Sequence, residues 1–315
     1  ELRLPGFRHG AAMHRLAMRM ARRKKYDLVH AVEESVFMAM RIARRHGTPY
    51  VYDMDSSMSR QIADKLPPAR PLLPLMRACE RRAVRGAAAV AAVCDSLADQ
   101  ARADGAQRVV ILRDIPLLAP AAEGGGSRGF REALGIRGPA LLYIGNLESY
   151  QGIDLLIESF ARIPRDLGAH LVVVGGAPAH VTRYQALARN LGAADAIHLT
   201  GPRPVADMAA LMAEADILVS PRIHGTNTPM KIYSYMASGK AVLATDLPTH
   251  TQVLDAETAC LAPPDPDAFA AAMTSLIRKP DTRARLGAAA RRAVETRYSL
   301  DVFRRTLNSL YDALP

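Results

Sequence analysis

Apolar residues recur along this chain in blocks of four to six, each followed by a polar break and then by a stretch with helical spacing. In the first third the blocks "DLVH" (27–30), "PYVYD" (49–53), "AAAVAA" (87–92) and "VVIL" (109–112) predict strands, with a long helix near 72–86. The pattern restarts at "ALLYI" (140–144) and continues through 170–174, 196–199, 216–219, 240–244 and 258–261. Two helices near 281–296 and 299–313 follow the last strand. Strands that alternate with helices predict parallel sheets, so the fold class is α/β with two doubly wound, Rossmann-like units and a cleft between them.

The stretch "DIPLLAPAAEGGGSRG" breaks the alternation, and its proline, glycine and serine content marks a linker. The expected division is a first unit over 1–118, a linker over 119–138 and a second unit over 139–298. The opening "ELRLPGFRHG" is not a complete strand–helix beginning, so the first unit is expected to lack N-terminal residues.

The 315 residues fit about two domains. Half are apolar and Trp is absent, which predicts cores packed from Ala, Leu and Val. Cys79, Cys94 and Cys260 are scattered without metal-ligand spacing, as expected of buried thiols in a reducing cytoplasm. No apolar run approaches the ~18 residues of a membrane span. The net charge of +10 is uneven: residues 1–125 hold 21 basic against 13 acidic side chains. Its densest part, "RHGAAMHRLAMRMARRKK" (8–25), has Met13, Leu16, Ala17 and Met20 on one side of a helix and Arg15, Arg19, Arg22 and Arg23 around the rest. The stripe is expected to face the core. An anionic membrane surface is the other partner such a helix fits. No recognised nucleic-acid motif accompanies the basic residues, so nucleic acid is not an expected partner.

Polar punctuation in the second half falls at the carboxyl ends of predicted strands, where open α/β sheets bind ligands. It comprises "GNLESYQG" after 144, "GGAP" after 174 and "SPRIHGTNTP" after 219. In the last loop Thr228 is a candidate N-cap, Pro229 suits the first helical position, and Lys231 stands one turn inside, a start suited to a phosphate.

From these loops onward the second half resembles the retaining, nucleotide-sugar-dependent glycosyltransferases of family 4, which have the GT-B fold. The resemblance rests on "LLYIGNLESYQGIDLLIESF", "LVVVGG", "HLTGPRPVADMAALMAEADILVSP", "YMASGKAVLATDLPTHTQVL" and "TACLAPPDPDAFAAAM", in order and spacing. "YDLVHAVEE" and "PYVYDMDSS" carry it more loosely into the first half. It implies a UDP- or GDP-sugar as co-substrate, no metal or other cofactor, a glycan or lipid-linked acceptor, and a final helix (299–315) that packs back on the first unit. The implied setting is a polysaccharide or glycolipid pathway in the cytoplasm, at the inner face of a membrane.

On that basis Lys231 and Asp55 are the expected catalytic residues. The expected donor site comprises Gly145, Asn146, Gln151, Gly152, Gly175, Gly176, Arg222, His224, Gly225, Thr226, Asn227, Thr228, Pro229, Met230 and Ser234. His30, Glu33 and Asp53 are expected to meet the acceptor. The chain departs from the family pattern at Asn146 and Gln151, where relatives carry Arg and Lys, and at Thr226 and Ser234, where they carry glutamates. Asp55 stands where many have His. These losses keep a non-catalytic nucleotide-sugar-binding or scaffold protein open as an alternative, and the shared fold does the same for a UDP-sugar epimerase. Asp53-Met54-Asp55 also reads as the D-x-D metal site of the GT-A fold, a reading the two-unit pattern opposes.

Overall fold

The computed structural model describes residues 5–65, 67–117 and 129–314. It divides into two compact units, residues 1–113 with 304–315, and residues 114–303.

The first unit runs α1 (Pro5–Arg23), β1 (Val29–Val32), α2 (Val36–His46), β2 (Tyr50–Met54), α3 (Met58–Lys65), α4 (Leu73–Gly86), β3 (Ala89–Ala92), α5 (Asp95–Ala103) and β4 (Val109–Ile111). Its four strands are parallel, in the order β1-β2-β3-β4. Tyr50, Tyr52, Met54, Val90 and Ala92 project from the sheet into a core shared with Val36 and Ala39 of α2, Val84 of α4 and Leu97 of α5.

The second unit contains α6 (Phe130–Ala133), β5 (Ala140–Ile144), α7 (Ile153–Ala161), β6 (His170–Val174), α8 (Pro178–Asn190), β7 (Ile197–Gly201), α9 (Met208–Glu214), β8 (Ile217–Ser220), α10 (Lys231–Ala237), β9 (Ala241–Thr245), α11 (Pro248–Thr251), β10 (Cys260–Ala262), α12 (Pro266–Arg278) and α13 (Pro280–Arg297); α14 (Leu300–Asp312) closes the chain. Its strand order is β10-β9-β8-β5-β6-β7, all parallel. Both faces are covered, which explains why its strands are apolar throughout. Leu141, Tyr143, Val173, Val219 and Leu243 pack on the side of α7, α8 and α12. Leu142, Val172, Leu218 and Val242 pack on the side of α9, α10 and α13. Winding reverses between β5 and β8, so their carboxyl ends flank the topological switch point.

Two expectations need correction. Residues 119–128 of the predicted linker lie outside the described residues, but 129–138 is packed structure. Phe130 and Ile136 are buried in the core of the second unit. Arg131 donates to the carbonyls of Glu214 (2.7 Å) and Gly138 (2.9 Å) and pairs with Asp216. Glycine and serine punctuation concealed a phenylalanine and an arginine with specific partners. The second correction concerns α1. Met13, Leu16 and Met20 are 48%, 54% and 47% exposed, whereas Met18 is buried. The less exposed side is His14, Ala17, Met18 and Ala21, and α1 packs on α2. Of the thiols, Cys94 is buried, Cys260 half-buried and Cys79 exposed.

Candidate functional site

The chain leaves β5 through Gly145. Ile144 N–H donates to the buried Tyr235 hydroxyl at 2.9 Å, and the Tyr143 hydroxyl donates to the Asn146 carbonyl at 2.6 Å. Asn146 Nδ2 reaches the Tyr150 hydroxyl at 3.2 Å. A short 3₁₀ turn, Ser149–Gln151, then leads through Gly152, at φ 71°, into α7. Gly152 packs directly on the Pro221 carbonyl, and Ile223 N–H donates to the Tyr150 carbonyl at 3.0 Å. These contacts join the loop after β5 to the loop after β8. Gly175 packs on the Gly145 carbonyl and Gly176 on Leu147, so the loop after β6 abuts the same place.

Two cations meet here. Lys231 Nζ donates to Gln151 Oε1 at 3.2 Å and sits 4.0 Å from the centre of the Tyr143 ring. A Cβ on Gly145 would lie 2.9 Å from that ammonium, so glycine lets the backbone pass beside it. The Arg222 guanidinium lies over the Tyr150 ring at 5.3 Å and donates to Asn227 Oδ1 at 3.1 Å and to the His224 carbonyl at 2.7 Å. Neither cation pairs with a carboxylate among the described residues. Burial, and then the charge of Arg222, lower the Lys231 ammonium to about 7. Burial also lowers Arg222.

The loop that carries Arg222 is fixed from behind by residues the sequence reading did not single out. Thr245, Thr249 and Gln252 donate side-chain hydrogen bonds to the carbonyls of Arg222 (2.5 Å), Asn227 (2.8 Å) and Thr226 (2.9 Å). His250, fully buried, lies 2.9 Å from Ser220 Oγ and 2.9 Å from Thr245 Oγ1. Thr245 spends its proton on Arg222, so His250 Nδ1 carries the hydrogen that Thr245 accepts. Burial holds this imidazole down to about 3, so it stays neutral beside the two cations. The signal for all four was a run of hydroxyl, amide and imidazole groups from the end of the apolar strand β9 to Val253-Leu254.

The helix start differs from expectation. Thr228 is buried, but its hydroxyl makes no hydrogen bond among the described residues. Pro229 lies before the helix rather than at its first position. The carbonyls of Pro229 and Met230 accept from Ile232 (2.9 Å) and Tyr233 (3.2 Å), a 3₁₀ entry that delays α10 to Lys231. Lys231 is therefore the first helical residue, and the helix has no side-chain cap. Ser234 is buried one turn on, and His224, Gly225 and Met230 are exposed. Gly225, at φ 127°, lies against the Arg222 guanidinium, where any side chain would collide with it.

The remaining expected residues lie in the first unit, at the carboxyl ends of β1 and β2. His30 Nε2 is 3.1 Å from Asp53 Oδ2, and its Nδ1 is 2.9 Å from the Tyr311 hydroxyl of α14. Glu33 adopts φ 50°, and Ser56 Oγ donates to its carboxylate at 3.0 Å. Burial pushes the Glu33 carboxyl up to about 7; the charges of Asp55, Glu34 and Glu80 act the same way, against the Ser56 hydrogen bond. Asp55, though exposed, is raised by partial desolvation and then by Asp53. Glu80, on α4, is 2% exposed and accepts from Met58 N–H (3.0 Å) and Ser59 Oγ (2.6 Å), which fixes the chain after Asp55.

Two family profiles match the sequence. "Glycosyl transferase 4-like domain" covers residues 1–113 and "Glycosyl transferases group 1" covers residues 138–279. The chain is a family 4-like glycosyltransferase. Among curated proteins, a D-inositol 3-phosphate glycosyltransferase of Xylanimonas cellulosilytica is 31% identical over 52% of this chain and 40% of its own length. A phosphatidyl-myo-inositol mannosyltransferase of Mycobacterium leprae is 29% identical over 56% of this chain and 47% of its own. The chain spans about half the length of the curated relatives it matches. Among solved structures, Anabaena Alr3699/HepE in complex with UDP superposes with a TM-score of 0.80 at 17% identity, over 95% of this chain and 82% of that one. That likeness establishes the GT-B fold.

The isolated Lys231 charge has a consequence for stability. Its folded value, about 7, lies below the ordinary 10.5, so between these pH values the unfolded chain binds the extra proton and stability rises with pH. In the ligand-free protein, Lys231→Met is expected to be more stable than the parent below pH 7, with the advantage shrinking toward pH 10. Urea unfolding of both proteins across that range measures it.

Proposed function

We propose that this glycosyltransferase transfers a sugar from a nucleoside diphosphate sugar to a glycan or lipid-linked acceptor, with retention of configuration. The observation that carries the reading is the pair Lys231 and Arg222: two partly desolvated cations at the switch point of a parallel sheet, without a carboxylate partner among the described residues. A diphosphate supplies the missing charge. UDP in the Alr3699/HepE structure supports the ligand class.

On this reading the bond from the sugar's anomeric carbon to the diphosphate breaks, and the leaving group keeps the electron pair. Lys231 and Arg222 stabilise the charge that develops there. The acceptor oxygen bonds to the same carbon and its proton passes to the departing phosphate. Gln151 and Asn146 orient the site without adding charge, so its dependence on Lys231 is greater than in a relative with basic residues at those positions. Ser234 takes the place beside the ribose. Asp55, His30, Glu33 and Asp53 meet the acceptor. The co-substrate is a UDP- or GDP-sugar, and the reaction needs no metal or further cofactor.

Nucleoside diphosphate binding is the test. In folded Lys231→Met, loss of one charge-assisted contact is expected to weaken the best of UDP, GDP and ADP by on the order of 10- to 150-fold in calorimetry run with EDTA. Unchanged affinity, or no binding to the parent protein, contradicts the proposal.

The cytoplasmic setting at a membrane is part of the same proposal. No helix among the described residues is long and apolar enough to cross a membrane. Exposed Met13, Leu16 and Met20 alternate along α1 with exposed Arg15, Arg19, Arg22 and Arg23, which suits an anionic lipid surface. Sedimentation with vesicles containing anionic lipid is expected to weaken as salt rises, and to fall when Arg22, Arg23, Lys24 and Lys25 are all Gln. Equal binding to neutral vesicles excludes this setting.

A further inference from the structure

Ser220, Thr245 and His250 are fully buried, so none of them is open to a ligand. Together they form one chain of hydrogen bonds that ends on the loop carrying Arg222. His250 Nδ1 lies 3.0 Å from the Thr245 carbonyl, which can only accept, so Nδ1 carries the hydrogen and Nε2 is bare. Nε2 then accepts from Ser220 Oγ at 2.9 Å. Nδ1–H also reaches Thr245 Oγ1 at 2.9 Å, and that hydroxyl donates to the Arg222 carbonyl at 2.5 Å. Every hydrogen runs one way, from Ser220 through His250 and Thr245 to Arg222. Ser220 ends β8 and Arg222 follows just beyond it, so the chain of bonds begins and ends on the same turn. Pro221, between them, has its carbonyl against Gly152. The turn is thus held by Gly152 at Pro221 and by His250 and Thr245 at the residues on either side. Arg222 leaves it with its guanidinium on Tyr150 and Asn227.

We propose that His250 is a positioning residue for nucleotide binding: its Nδ1–H fixes the direction of the Thr245 hydroxyl and, through it, the place of Arg222. The inference rests on the transferase reading above for its effect on the donor. It goes beyond that reading by giving a role to a residue that touches no substrate. A threonine hydroxyl turns toward whichever acceptor is nearest. With an N–H aimed at its oxygen, Thr245 cannot give its proton to His250, so the proton goes to the Arg222 carbonyl. Successive bonds of one polarity also strengthen one another in a buried chain. Imidazole suits the task because it donates at one nitrogen, accepts at the other and stays neutral beside Arg222 and Lys231.

Two substitutions separate the branches of the imidazole. Asn carries its amide nitrogen at the same remove from Cβ as Nδ1, so His250→Asn keeps a donor toward Thr245 and gives up Ser220. Gln carries its amide one bond further out, as Nε2 is, so His250→Gln keeps Ser220 and gives up Thr245. Thr245→Val removes the hydroxyl and keeps the shape and the carbonyl, and it decides the matter if His250→Gln does not fold. Amide hydrogen exchange of the ligand-free chain and calorimetry with UDP, GDP and ADP are read on the parent and the three variants. Relative to the amides of β8, those of residues 222–228 are expected to exchange on the order of tenfold faster in His250→Gln and Thr245→Val, and as in the parent in His250→Asn. The best-bound nucleotide is expected to weaken on the order of tenfold in the first two and by less than about threefold in His250→Asn. A histidine that only fills the core predicts equal losses in His250→Asn and His250→Gln. Equal losses in those two, or both measurements unchanged in Thr245→Val, overturn the inference. If the parent binds none of the nucleotides while exchange keeps the expected order, the transferase reading fails and the hold of His250 on Arg222 stands.

Discussion

The arrangement depends on one costly interaction, an ammonium held over the Tyr143 ring beside a guanidinium, with no carboxylate among the described residues to answer either. Taking a charge from water is unfavourable, and an aromatic face and one amide oxygen offset only part of that cost. The surrounding fold makes it tolerable. Lys231 opens α10, whose buried residues Ile232, Tyr233, Tyr235 and Met236 anchor it in the core of the second unit. Tyr143 projects from β5 into the opposite core, and Tyr235 binds the backbone where β5 ends. Both faces of the sheet thus fix the cation's position, and neither neutralises it.

The same division governs the loop that carries Arg222. Its carbonyls are held by Thr245, Thr249 and Gln252, and the neutral His250 completes the network without adding positive charge. Polar groups that would otherwise satisfy the loop internally are supplied from behind, which leaves the guanidinium turned toward Tyr150 and Asn227. In the first unit the logic is inverted. There, carboxylates are gathered at the strand ends and Glu80 stabilises the turn behind them.

Much of this was legible in the amino-acid sequence. Each of the ten expected strands is found among the described residues and starts within two residues of its expected position, because most of them are buried on both faces and are written as continuous apolar blocks. The loops carrying Gly145, Gly152, Gly175 and Arg222 do meet, as their common position at strand ends implied. What failed was local. Thr228 and Pro229 satisfy the rules for a helix start, yet two i→i+3 hydrogen bonds shift that start to Lys231. Of the α1 stripe only Ala17 faces inward; Met18, one residue outside it, is the buried side chain of this helix, which packs on α2. The roles of Thr245, Thr249, His250 and Gln252 depend on contacts 5 to 30 residues away that no local pattern encodes.

The central claim is that an anion completes the Lys231–Arg222 pair. Proton linkage tests it most directly. With the free ammonium near 7, diphosphate binding at pH 8 should draw a proton onto Lys231. Titration of UDP, GDP and ADP in buffers of different ionisation enthalpy reads that uptake. The account predicts net proton uptake for the nucleotide that binds, lost in Lys231→Met. Binding with no proton uptake, or uptake that persists in the variant, would contradict it.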